Sequence, residues 1–85
     1  MNIIFTPQAF EEYNRWHEND EQLFLKIHEL IKNISRDPFK GIGKPEPLKG
    51  AYKGYWSRRI NQEHRLIYSA EKNSLYIISC NGHYK

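Results

Sequence analysis

The sequence predicts an α+β domain in which an N-terminal helical pair packs on one face of an antiparallel-dominated sheet, in the order β-α-α-β-β-β. Three observations predict it. Leu23, Phe24, Ile27, Leu30, Ile31 and Ile34 form one apolar stripe with the three-and-four spacing of a helix. A Pro- and Gly-rich stretch over 37–47 then interrupts all periodicity. Beyond it, β-branched and aromatic residues fall into short segments divided by polar turns.

Residues 2–5 (Asn-Ile-Ile-Phe) read as a first strand. Thr6-Pro7 is a helix start, because threonine caps well and proline suits the first helical position. Phe10, Tyr13 and Trp16 recur at helical spacing, and this helix should end near Glu18-Asn19. Asp20 reads as the next N-cap, and Arg36-Asp37-Pro38 closes the second helix. The short connection makes the two helices an antiparallel pair. Residues 37–47 leave no room for a regular element, and a loop of that length in so small a domain points to function. Strands are then expected over 51–60, 65–70 and 75–80, with turns at 61–63 and 71–74. Tight turns between successive strands predict a meander. One face of the sheet should stay open for a ligand.

The chain has 85 residues, enough for one domain over its whole length. Twelve of them are Tyr, Phe or Trp, which bury large area each and argue against disorder. The lone Cys80 excludes an internal disulfide and reads as a buried strand residue. No basic stretch leads into a long apolar run, so neither a signal peptide nor a membrane span is expected, and the location should be cytoplasmic. The formal net charge is +3, and it is polarised. Between residues 40 and 65, Lys40, Lys44, Lys49, Lys53, Arg58, Arg59 and Arg65 face only Glu46 and Glu63. That favours an anionic partner.

Cleavage of RNA without a metal needs a base for the ribose 2′-hydroxyl, a cation for the charge on phosphorus, and an acid for the departing 5′-oxygen. The basic half offers each. Glu46 is the carboxylate of the Pro/Gly loop, flanked by Lys44 and Lys49. Arg59 and Arg65 are separated by a tight turn and can face one another on neighbouring strands, which turns Arg58 to the other face. His83 ends the last strand and can reach the same open face, and Tyr84 follows it. Each residue also has a plain alternative: solvated strand charges for Arg58 and Arg59, a Lys partner for Glu46, a terminal tag for His83 and Tyr84. Gly41-Ile42-Gly43-Lys44 fails as a Walker motif, because Pro38 and Pro45 stand where glycine and a hydroxyl residue are needed. His17, His28, His64 and His83 lack zinc spacing, and His17 and His28 read as helix-surface residues. No cofactor and no metal are expected.

Three segments together carry a family resemblance. Pro38 to Lys49 (P-F-K-G-I-G-K-P-E-P-L-K), Gly54 to Ile60 with Glu63 to Tyr68 (G-Y-W-S-R-R-I and E-H-R-L-I-Y), and Cys80 to Tyr84 (C-N-G-H-Y) resemble the YoeB (Txe) toxins over nearly the whole chain. The resemblance implies a RelE-like fold and the toxin half of a toxin–antitoxin pair that cleaves messenger RNA in the ribosomal A site, against both subunits. It implies Glu46 as general base, Arg65 as stabiliser of the transition state and His83 as general acid. It implies substrate-binding roles for Lys49, Arg59 and Tyr84, and Lys44, which flanks Glu46 in the basic loop, is expected to join them. It also implies a YefM-like antitoxin whose disordered segment folds over the toxin, a homodimer, and an antitoxin complex that binds its own operator DNA. Lys85 extends past the usual His-Tyr end. Two other readings remain at this point: a ParE-like toxin that inhibits gyrase without catalysis, and an RNA-binding module.

Overall fold

The structure is a computed structural model, and it describes residues 1–82. The elements follow as β1 (Asn2–Phe5), α1 (Pro7–Asn19), α2 (Glu21–Arg36), β2 (Glu46–Pro47), a 3₁₀ turn (Gly50–Tyr52), β3 (Trp56–Arg59), β4 (Arg65–Glu71) and β5 (Ser74–Ser79). The five strands lie in the order β1-β5-β4-β3-β2. All pairs are antiparallel except β1 with β5, which is parallel.

Both helix starts are as the sequence predicts. Thr6 accepts a hydrogen bond from the N–H of Ala9 at 3.1 Å, and Asp20 accepts from Leu23 at 3.2 Å. These caps satisfy donors that a helix cannot satisfy internally. The stripe of α2 is buried through Ile27, Leu30, Ile31 and Ile34, and it packs with Leu66, Tyr68, Leu75 and Ile77 of the sheet. The helical pair therefore covers one sheet face, and His17 and His28 point to solvent.

Three expectations need correction. Glu46–Pro47, expected to be irregular, forms a two-residue edge strand paired with Ser57 and Trp56. Pro47 is tolerated because an edge strand leaves one side without ladder bonds. The strand expected over 51–60 begins only at Trp56; before it stands the 3₁₀ turn. Gly50 opens that turn at φ +65° and Gly54 follows it at φ +99°, a backbone that ends regular pairing. At the other end, β4 runs one residue further than expected, to Glu71, and β5 begins at Ser74.

Among the described residues, no helix is long and apolar enough to cross a membrane.

Candidate active site on the open sheet face

Strand alternation divides the predicted residues. Arg59 pairs with Arg65, and Ser57 pairs with both Glu46 and Ile67. Glu46, Ser57, Arg59, Arg65 and Ile67 therefore share the face away from the helices. Ser57 and Ile67 are buried and form its floor, while Glu46 and Arg59 are exposed above it. Ladder spacing puts the Cα atoms of Glu46 and Arg59 about 8 Å apart, and those of Glu46 and Arg65 about 12 Å apart. Long side chains from both edges can thus converge on one group held between them. Lys44 and Lys49 are exposed at the β2 edge, the first in a left-handed conformation at φ 52° and the second just before the 3₁₀ turn.

Arg65 is held in place. Its Nη1 donates to the carbonyls of Asn61 (2.7 Å), Gln62 (3.2 Å) and His64 (3.2 Å). These bonds lay the guanidinium over the β3–β4 turn. Among the described residues, its remaining N–H groups meet no acceptor, so one edge of the fork is available to an anion.

Arg58 points the other way and is fully buried. The alternation predicted that direction; the reading of Arg58 as a solvated strand charge does not hold. Its guanidinium donates to the carbonyls of Asp37 (2.7 Å), Lys40 (3.2 Å) and Ile42 (2.9 Å), to Oδ1 of Asn33, and through Nε to the Tyr68 hydroxyl (3.2 Å). Tyr68 in turn donates to the carbonyl of Pro38 at 2.6 Å. Among the described residues no carboxylate lies within ion-pair distance, so carbonyl dipoles hold this buried charge. Burial pushes the Tyr68 phenol up, and the adjacent Arg58 partly offsets it. The loop over 37–43 is thereby tied to the core from beneath, and its exit delivers Lys44 and Glu46 to the open face. Gly43 is required there: its φ is +80°, a Cβ would meet Leu30 Cδ2 at 2.8 Å, and its carbonyl accepts from Arg59 N–H at 2.6 Å.

The chain leading to His83 is fixed by four hydrogen bonds. The N–H of Cys80 donates to Glu12 Oε1 (2.9 Å), and its carbonyl accepts from the Trp16 indole (2.8 Å). The N–H of Gly82 donates to His64 Nδ1 (3.0 Å), and its carbonyl accepts from the N–H of Arg65 (2.9 Å). The last bonds set Gly82 directly beside Arg65. His83 and Tyr84 lie outside the described residues. Cys80 is buried, as expected. Burial, and then the Glu12 carboxylate, push its thiol up to about 12, which leaves no thiolate for nucleophilic work.

The structure thus brings Glu46, Arg59 and Arg65 to one face, with Lys44 and Lys49 at its edge. Sequence reasoning missed the supporting residues Glu12, Trp16, His64 and Tyr68. Only Arg58 carried a usable signal: a charge on the face predicted to be buried demands hydrogen-bond partners. Among the described residues, no three His, Cys, Asp or Glu side chains gather as metal ligands would.

The sequence profile of the family described as "YoeB-like toxin of bacterial type II toxin-antitoxin system" matches residues 5–84. "Toxin YoeB" of Synechocystis sp. is 54% identical over 85 residues, covering 100% of this chain and 99% of that protein. The structure of a YoeB dimer from Staphylococcus aureus superposes with a TM-score of 0.93 at 52% identity, over 99% of this chain and 98% of that one. The heterotetrameric YoeB-YefM toxin-antitoxin complex from the same organism contains a chain matching with a TM-score of 0.91 at 52% identity, over 99% of this chain and 98% of that one. YafQ from E. coli, at 19% identity and a TM-score of 0.79, shares the fold.

Proposed function

Because this chain belongs to the YoeB-like toxins of bacterial type II toxin–antitoxin systems, we propose that it is a ribosome-dependent endoribonuclease that cuts messenger RNA in the A site and so stops translation. The observation that carries this reading is the shared placement of Glu46, Arg59 and Arg65 on the sheet face the helices leave open.

The chemistry follows from the groups available. Glu46 takes the proton of a ribose 2′-hydroxyl, and that oxygen attacks the adjacent phosphorus. Arg65 stabilises the charge that builds on the phosphoryl oxygens through the available edge of its fork. The bond from phosphorus to the 5′-oxygen breaks, and His83 supplies the proton that the departing oxygen takes. The products are a 2′,3′-cyclic phosphate, which water opens to a 3′-phosphate, and a 5′-hydroxyl end. Lys44, Lys49 and Arg59 hold the backbone phosphates, and Tyr84 holds a base. No step calls for a metal or a cofactor.

The Staphylococcus aureus relatives support the choice of partners, since one is a YoeB dimer and another a YoeB-YefM complex. This chain accordingly works in the cytoplasm as a homodimer. A YefM-like antitoxin neutralises it by folding over the toxin, and that complex binds its own operator DNA.

The test is to add the purified protein to ribosomes carrying a defined message and map the ends. Cuts confined to the A-site codon, bearing cyclic or 3′-phosphate, are expected. An intact message together with inhibited gyrase supercoiling would overturn the reading in favour of a ParE-like toxin.

A further inference from the structure

The open face carries a second feature, four residues further along the strands. Ser69 of β4 pairs with Tyr76 of β5. On its other side Tyr55 is next in line, because Trp56 pairs with Tyr68 and Tyr55 precedes it. The result is a transverse row in which a small hydroxyl residue separates two phenol rings. Strand spacing puts the outer Cα atoms about 9.6 Å apart. A flat ring in van der Waals contact with both phenols needs about 7 Å between them, a gap that a modest inward lean provides. The row lies in a cleft of about 380 Å³ that Lys53, Glu71 and Ile78 also line. Tyr55 and Tyr76 are both half-buried, so their rings are supported from the sheet and still open to a ligand.

Position decides what this slot would take. Ser69 lies about 14 Å along β4 from Arg65, a span that an extended single strand crosses in about two nucleotides. The floor between them is the uncharged Ser57–Ile67 row, along which a chain can run. The rim is mixed. Lys53 suits a phosphate, whereas the Glu71 carboxylate would repel one but accepts readily from an exocyclic amine of a base. A peptide partner would want several apolar anchors, and among the lining residues only Ile78 is aliphatic.

We propose that Tyr55, Ser69 and Tyr76 form a stacking subsite for a nucleobase of the RNA strand, about two nucleotides from the cleaved phosphate. The inference rests on the reading of this chain as an RNA-cleaving toxin, and it adds a place where the neighbouring sequence is gripped.

The test is an equilibrium titration of short fluorescent single-stranded RNA into full-length protein silenced by Glu46→Gln, with an abasic residue moved step by step along the RNA. Tyr76→Ser should weaken binding about tenfold, and Tyr76→Phe should not. One abasic position should weaken binding by a similar factor, with no further loss in Tyr76→Ser. Additive losses, an unchanged affinity in Tyr76→Ser, or failure of the parent protein to bind RNA would each overturn the subsite. Loss of self-association in Tyr76→Ser with RNA affinity intact would overturn it too, by marking a protein contact instead. Thermal melts identify a variant that fails to fold, and Tyr55→Ser then applies the same test from the other wall. The titration needs no cleavage, so it fails or succeeds independently of the ribosome assay.

Discussion

Arg59 and Arg65 stand directly opposite one another on β3 and β4, two cations paired across an antiparallel ladder. Like charges in that position destabilise a sheet by about 0.2–1 kcal/mol. The arrangement makes sense where an anion comes between them. Arg59→Thr, which keeps β propensity, should therefore raise the melting temperature slightly at low salt, and the gain should fade in high salt. The same variant should cleave ribosome-bound message more slowly. Inorganic polyphosphate should raise the melting temperature of the unaltered protein more than that of the variant. Differential scanning fluorimetry reads all three melts.

Glu46, Arg65 and His83 should separate cleanly from stability. Glu46 is exposed and Arg65 is half-buried at the β3–β4 turn. Single-turnover cleavage by Glu46→Gln, Arg65→Ala and His83→Gln should each fall by about a hundredfold or more. The folding free energy of Glu46→Gln should stay within about 0.5 kcal/mol of the parent. Normal cleavage by all three would show that the chemistry lies elsewhere on the chain.

Arg58 should behave in the opposite way. Arg58→Met leaves the carbonyls of Asp37, Lys40 and Ile42 without their donor in a buried setting. A loss of about 3 kcal/mol is expected. Arg58→Lys should recover only part of it, because one ammonium cannot span acceptors arranged for a fork. Urea melts measure the loss. Amide exchange over 37–43 should rise in both variants, with Glu46 presented less well and cleavage slowed.

The buried thiol gives a pH prediction. Cys80 ordinarily titrates at 9.0 and is pushed up to about 12 in the folded chain. The unfolded chain therefore loses this proton first, so stability is fully present below about pH 9 and falls as pH rises from there. The slope cannot exceed about 1.4 kcal/mol per pH unit for this one group. Tyr13 and Tyr68, raised from 10.0, add to the loss only at higher pH. Cys80→Ala should lower stability at pH 7 by about 1 kcal/mol and flatten the profile between about pH 9 and 10. Denaturant melts across that range would show a parallel decline in both proteins if the thiol were not responsible.

The helices and their caps were legible because the signals are local: Thr6 and Asp20 sit at the positions that need them, and the stripe of α2 is uninterrupted. The pairing of Arg59 with Arg65 was legible from a tight turn and a period of two. The sheet order was not, since nothing local in residues 2–5 says that β1 lies parallel against β5. The strand at Glu46–Pro47 was hidden by its proline, which reads as a break until an edge position is known. The grip on the C-terminal segment was illegible for a related reason. Glu12 and Trp16 look like ordinary residues of an amphipathic helix, and their partner at Cys80 is more than sixty positions away. His64 shows its role only through an acceptor nitrogen aimed at Gly82.

The parallel pairing of β1 with β5 has a consequence for synthesis. Among the described residues, the strand made earliest finds its partner in the last of the strands. The carbonyl and N–H groups that fix Cys80 and Gly82 meet α1 and β4 only after β5 has emerged. Sheet closure across such a sequence separation is slow compared with forming a local helix pair. A partly translated chain therefore has its two helices but no finished sheet, and Gly82 is not yet beside Arg65.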